Sequence, residues 1–381
     1  MTAWASYLEQ AARQRREAHR WRARHIHHDN DVIDFASNDY LGLASDPRLA
    51  EAEAEGARRY GSGSRASHLV NGHLEIHEAL EEALASLTGR PRALLFSTGY
   101  MANLGTLQAL CGSDTYIFQD RLNHASLLDG ASLSGARSRR FHHQDIDDLD
   151  RLLQRAPTDA RKLIVSDGVF SMDGDQADIT GLTTMASRHS AWLMIDDAHG
   201  LGVLGEHGSG CTGQRHGSEH VQVLVGTLGK ALGTAGAFVA GDSNLIDHLI
   251  QFARPYIYTT AMPPGVAAAT MEAIRICTQE PQRRKRLSHL TSEFRRQASD
   301  LGLCLLPSST PIQPILLGDE ARALRWGEWL AQAGIKVGVI RPPTVPKGES
   351  RLRITLSARH SDAQLDHLLS ALAACLHKEA Q

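Results

Sequence analysis

Through the middle of the chain, short apolar runs rich in β-branched residues alternate with longer stretches whose apolar residues recur at helical spacing. The runs Ala93-Leu94-Leu95-Phe96, Thr115 to Phe118, Leu163 to Ser166, Trp192 to Ile195, Val221 to Val225 and Ala237 to Ala240 predict strands, with helices over His73 to Leu87 and Ile146 to Leu153. This is the rhythm of βαβ units, and it predicts an α/β fold with a mostly parallel sheet covered by helices. Beyond Met262-Pro263-Pro264 the pattern changes to long helices, Gly265 to Cys277 and Arg283 to Leu301. A strand-helix-strand region ending in Arg351 to Leu356 follows, then a helix from Asp362. The division this predicts is an N-terminal helix and strand segment over 1–45, a large domain over 46–284 and a smaller C-terminal α+β domain over 285–381.

A length of 381 residues suits two packed domains. Forty basic against 43 acidic side chains give a net charge of -3, so no overall field favours nucleic acid or a membrane surface, and a small-molecule partner is the expectation. The five cysteines are scattered without a C-x-x-C pair, which predicts neither a disulfide framework nor a zinc site and suits the cytoplasm. No apolar run reaches the roughly 18 residues of a membrane span. Arg13, Arg15, Arg16, Arg20, Arg22 and Arg24 crowd one segment, which reads as a solvated amphipathic helix rather than a transit peptide because Glu9 and Glu17 interrupt the charge.

The strand ending at Ile195 runs directly into Asp196-Asp197-Ala198-His199-Gly200, at the sheet edge where α/β folds bind ligands. Strand alternation sends Asp196 and Asp197 to opposite sides, so that one faces a ligand while the other caps a turn or meets solvent. Gly200-Leu201-Gly202-Val203-Leu204-Gly205 matches a dinucleotide-binding G-x-G-x-x-G, the basis of a rival reading as a nicotinamide-dependent oxidoreductase. However, Glu206-His207-Gly208-Ser209-Gly210 predicts a loop where that motif needs a helix. His73 and His77 stand four apart on a predicted helix, but no third ligand is evident, so capping or solvent-facing roles are expected and no metal site. The pairs His27-His28 and His142-His143 offer less still.

Ser97-Thr98-Gly99-Tyr100-Met101-Ala102-Asn103 joins a strand to a helix, so the amides of Gly99 and Tyr100 could take a phosphate, or Ser97 or Thr98 could simply cap the helix. Thr227-Leu228-Gly229-Lys230 lacks the glycine spacing of a Walker motif. What it offers is a lysine among small apolar residues, whose amine burial would make nucleophilic.

In this order, with Ser166-Asp167-Gly168-Val169-Phe170-Ser171-Met172-Asp173-Gly174-Asp175 before the Asp196 motif, the sequence from about Asn38 to Arg353 resembles the α-oxoamine synthases. The resemblance implies the fold-type I architecture of pyridoxal 5′-phosphate transferases, and homodimers with active sites at the subunit interface. It implies that Lys230 holds the cofactor as a Schiff base, Asp196 pairs with its pyridine nitrogen, His199 bonds its phenolic oxygen and His124 stacks on its ring. Gly99, Tyr100, Ser171 and Thr227 are then cofactor contacts, and Thr259 and Thr260 reach the neighbouring subunit's phosphate. Arg353 takes the amino acid's carboxylate, with Asn38 beside the substrate. The implied reaction condenses an amino acid with an acyl thioester and releases carbon dioxide.

Ile340-Arg341-Pro342-Pro343-Thr344-Val345-Pro346 and Arg22 resemble the member that joins L-alanine to a pimeloyl thioester, borne by coenzyme A or a carrier protein, in biotin synthesis. The resemblance implies that Thr344 meets the acyl substrate and Arg22 the pimeloyl carboxylate. Glycine-using members of the family are the alternative.

Overall fold

The computed structural model describes residues 2–18, 20–22, 24, 26, 32–213 and 215–380, so the His27-His28 pair lies outside the described residues. Its strands are β1 (Ile33–Phe35), β2 (Arg92–Phe96), β3 (Thr115–Asp120), β4 (Arg137–Phe141), β5 (Arg161–Asp167), β6 (Trp192–Asp196), β7 (Val223–Thr227), β8 (Ala237–Gly241), β9 (Ile312–Gly318), β10 (Ile335–Ile340) and β11 (Ser350–Thr355). Seven form a sheet in the order β2-β8-β7-β6-β5-β3-β4 and four a smaller one in the order β1-β10-β11-β9. In the large sheet only β8 runs antiparallel to its neighbours, β2 and β7. The expected strands are all present, and the α/β architecture of mostly parallel strands under helices is the one observed.

The parallel arrangement brings the carboxyl ends of its strands to one edge. Asp167 of β5 stands opposite Asp196 of β6, and Asp196 opposite Val225 of β7. Across β8, Phe96 and Thr227 both pair with Ala237, so the loops leaving β2 and β7 start side by side. Both faces of the sheet are covered, which is why its central strands are continuously apolar. One apolar cluster extends from Leu80 and Leu84 on the helix Glu75–Thr88, through Leu95 and Leu228, to Ile315, Trp326, Leu352 and Leu368 of the small sheet and its helices.

Three expectations change. The N-terminal helix runs Ala3–Glu17, capped by Thr2, and ends before Arg20, Arg22 and Arg24; none of its residues is buried. The helix expected from His73 starts at Glu75, because the His77 ring accepts from the Leu74 amide and closes the first turn there; His73 precedes it. β4, Arg-Ser-Arg-Arg-Phe, has no apolar run to announce it; it is an edge strand, where charges discourage pairing with other chains.

Candidate active site

Lys230 leaves the loop after β7 half-buried, with Nζ 3.4 Å from Thr227 Oγ1. Burial lowers its pKa, the carboxylates of Asp196 and Asp167 oppose that shift, and Arg353 adds to it. The amine thus sits in a field that eases the loss of its proton while two acids keep it in place.

Asp196 is held at both oxygens: Oδ1 accepts from the Ala198 amide at 3.0 Å and Oδ2 from Asn103 Nδ2 at 2.6 Å. Asn103, on the helix Gly99–Leu110, also donates to Ser126 Oγ at 2.8 Å. Ser126 Oγ lies 2.7 Å from His124 Nδ1. A hydroxyl that accepts from Asn103 donates its own proton to Nδ1, which leaves the His124 N–H on Nε2. Burial lowers the His124 pKa, with Asp196 opposing and Lys230 reinforcing that shift.

Asp197 points away from Asp196, as alternation predicts, but it does not reach solvent. It is 1% exposed, accepts from the Cys211 amide at 2.8 Å, and burial raises its pKa to about 7. It fills a hole that only glycines leave open, since a Cβ on Gly210 would lie 1.8 Å from Asp197 Oδ2 and one on Gly200 2.0 Å from Oδ1. Asp197 therefore ties the 197–211 loop to the sheet.

At the start of the helix Gly99–Leu110, Thr98 Oγ1 accepts from the Met101 amide at 3.1 Å. The expected cap is therefore present, and it occupies the third amide of the helix, not those of Gly99 and Tyr100. Gly99 abuts Thr227, with a Cβ there falling 2.7 Å from Thr227 Cγ2. A buried carboxylate held by an amide, a lysine amine and two open helix amides over a glycine fit the nitrogen, aldehyde and phosphate of pyridoxal phosphate.

Arg353 reaches this cluster from β11 in the small sheet. Nε donates to the Ser171 carbonyl at 2.6 Å, Nη1 to Thr355 Oγ1 at 2.8 Å and Nη2 to Asn38 Oδ1 at 3.2 Å. The guanidinium also faces the Tyr40 hydroxyl, so of its five N–H groups one is left, with the full positive charge, for a carboxylate. His199, buried at the site, has its Nδ1 2.6 Å from the hydroxyl of Tyr40, itself fully buried. Burial and then the positive charges of Lys230, Arg353 and His124 hold the His199 pKa well below the usual imidazole range.

Lys230, Asp196, His199, His124, Thr227, Ser171, Arg353 and Asn38 are therefore gathered by direct contacts or by mutual charge. Thr260 pairs with Ser67 in an isolated bridge, and no hydrogen bond among the described residues ties it or Thr259 to the cluster within one chain. Arg22 and Thr344 line one cavity of about 220 Å³ together with Arg15, Arg20 and Arg341. Asn103 and Tyr40 escape the sequence reading, since nothing in local pattern reports a partner ninety or more residues away.

His77 takes the capping role expected of it, while the surroundings of two other histidines differ from expectation. A third ring, His68, does approach His73, with Nδ1 atoms 2.8 Å apart, but both nitrogens of His77 are engaged, by the Leu74 amide and the Met262 carbonyl at 2.8 Å. His143 is a hub: Nδ1 lies 3.0 Å from Asp120 and Nε2 2.8 Å from Asp175, fixing the 171–175 loop that carries Ser171. The glycine-rich 200–205 stretch forms turns followed by one turn of 3₁₀ helix, Glu206–Gly208, so the helix a dinucleotide needs is absent.

Residues 30–372 match the family model of class I and II aminotransferases. The 8-amino-7-oxononanoate synthase of Chromohalobacter salexigens is 68% identical over 378 residues, 99% of this chain and 98% of that one. The solved 8-amino-7-oxononanoate synthase of Francisella tularensis superposes with a TM-score of 0.80 at 32% identity, covering 93% of this chain and 100% of that one. A lysine variant of the serine palmitoyltransferase of S. paucimobilis, solved with bound pyridoxal phosphate and myriocin, superposes with a TM-score of 0.91 at 29% identity over 99% of both chains.

Proposed function

The chain belongs to the class I and II aminotransferase family and, within it, to the 8-amino-7-oxononanoate synthases; on that premise we propose that it condenses L-alanine with a pimeloyl thioester, releasing carbon dioxide and the thiol carrier, to form 8-amino-7-oxononanoate for biotin synthesis. The observation that carries this reading is the convergence of Lys230, Asp196 and the Arg353 guanidinium on one buried edge.

Pyridoxal phosphate, when bound, supplies an aldehyde for the amino group and a conjugated ring that accepts the electron pair left by the α-proton. Lys230 holds it, the open amides of Gly99 and Tyr100 with Thr227 receive its phosphate, and Ser171 lines its site. Asp196, held at both oxygens by Asn103 and the Ala198 amide, would pair with the ring nitrogen. Arg353 binds the alanine carboxylate and Asn38 steadies the guanidinium. Once free, the Lys230 amine takes the α-proton at Nζ; its burial favours the neutral form that this requires. His124 covers the ring and His199 donates to the phenolic oxygen.

Arg22 and Thr344 receive the acyl donor, Arg22 at the pimeloyl carboxylate; their shared cavity supports this pairing. The enzyme works as a homodimer, in which Thr259 and Thr260 reach the partner's phosphate. No helix among the described residues is long and apolar enough to cross a membrane. The test is to offer L-alanine, glycine or L-serine with pimeloyl, acetyl, succinyl or palmitoyl thioester and follow carbon dioxide. Turnover is expected with alanine and pimeloyl thioester, and turnover with glycine alone would refute the assignment.

A further inference from the structure

Tyr40 stands between two groups of the site. Its hydroxyl is 2.6 Å from His199 Nδ1 and 3.4 Å from Asn38 Oδ1, and the Arg353 guanidinium faces the same oxygen. Its backbone is fixed from the small-sheet side, where the Ala358 amide donates to the Tyr40 carbonyl at 2.8 Å and Ser357 Oγ to the Asp39 carbonyl at 2.7 Å.

A hydroxyl has one proton. Asn38 Oδ1 already accepts from Arg353 and is the more distant acceptor, whereas 2.6 Å is the separation of a strong O–H···N bond. The phenol oxygen, turned toward a permanent cation, serves as acceptor on that side and sends its proton to Nδ1. Burial pushes the Tyr40 pKa up to about 12, so the proton is present throughout the working range. The charged groups facing His199 are Lys230, Arg353 and His124, all of which favour a neutral ring with a single N–H.

We propose that Tyr40 is a positioning residue: lying between Arg353 and His199, its hydroxyl fixes the His199 tautomer that carries the proton on Nε2, and it makes that donor respond to a carboxylate bound at Arg353. The inference rests on the roles proposed above for His199 and Arg353. An anion on Arg353 offsets the positive charge that Tyr40 and His199 feel, so the hydroxyl holds its proton more tightly and the imidazole is easier to charge. Occupancy of the amino-acid subsite is thereby reported to the nitrogen that faces the cofactor.

The test is ¹⁵N magnetic resonance of the cofactor-loaded enzyme labelled in histidine, with His199 assigned by its absence in His199→Asn. The proposal expects a pyridine-like Nδ1, a pyrrole-like Nε2, and a shift of both when propionate, a carboxylate without an amine, is added. A proton on Nδ1, or no response to propionate in the parent enzyme, overturns it. Tyr40→Phe keeps the ring and removes the hydroxyl. It is expected to give tautomer-averaged shifts, to lose the propionate response, and to move the pH midpoint of the cofactor absorbance by about one unit, a tenfold change in proton affinity. A Tyr40→Phe enzyme that melts like the parent and keeps the parent's His199 shifts also overturns the proposal. If that variant fails to fold, the parent tautomer and its propionate response decide alone. Absence of alanine and pimeloyl turnover would sink the proposed reaction without altering the His199 shifts, so the two failures are distinguishable.

Discussion

Asn103 Nδ2 lies 2.6 Å from Asp196 Oδ2, a hydrogen bond between a helix leaving β2 and the last residue of β6. The same amide continues through Ser126 to His124, so one asparagine orients both the acid and the imidazole. Asn103→Ala leaves a buried carboxylate short of a charge-assisted bond, worth roughly 1.5–3 kcal/mol. The expected outcome is cofactor affinity about tenfold or more weaker by equilibrium dialysis.

Gly99 and Thr227 touch so closely that a methyl at 99 must displace Thr227 Cγ2. Gly99→Ala is expected to weaken cofactor binding, and Thr227→Ser, which removes that methyl and keeps the hydroxyl, to restore part of it in the double variant. A cycle of cofactor dissociation constants measures the coupling, for which additivity is the contrary result.

Arg353→Lys keeps the charge but cannot reproduce the three fixed bonds of the planar guanidinium fork or its remaining N–H. The KM for alanine is expected to rise about tenfold to a hundredfold, with a much smaller change for the thioester. Steady-state kinetics with each substrate varied in turn separate the two.

Arg22→Ala should do the reverse, raising the KM for the pimeloyl donor about tenfold while alanine binding, followed spectrally, stays unchanged. An equal loss of alanine binding would make the arginine a structural one.

His143 supplies a pH dependence. Burial opposes its charge, but Asp120 and Asp175 outweigh burial and raise its pKa to about 10. Because the folded value lies above the ordinary one, near 6.5, the stabilisation is fully present below pH 6.5 and is lost as the pH climbs through about 10. Thermal melts from pH 6.5 to 10 are expected to fall more steeply for the parent than for His143→Gln, which keeps the hydrogen-bonding volume without the charge.

The strands of the large sheet were legible because each central one is an apolar run bounded by turn residues. β7 sits two residues later than its pattern suggests: Gly226, a poor strand residue, and Thr227 after it are kept in register by Phe238 and Ala237 of β8. β4 and the true start of the Glu75 helix were hidden, the first by its arginines and the second by a side-chain cap that spacing does not reveal. At the site, residues standing in a local motif, such as Lys230, Asp196 and His199, could be named from the sequence. Tyr40, Asn103 and His143 could not, because their meaning lies in contacts that only the folded chain makes.

The apolar cluster running from beneath the Glu75–Thr88 helix to Trp326 and Leu368 bears on how this molecule can be divided. Arg353 and the Asn38–Tyr40 strap stand on the small sheet, Lys230 and Asp196 on the large one, and no solvent layer separates their supports. A fragment ending near residue 300 would expose Leu287, Leu290 and Phe294 to water, so neither half is a transplantable module. Cofactor side and substrate side are inherited as a single casting, and variants that loosen the C-terminal helix should loosen both together.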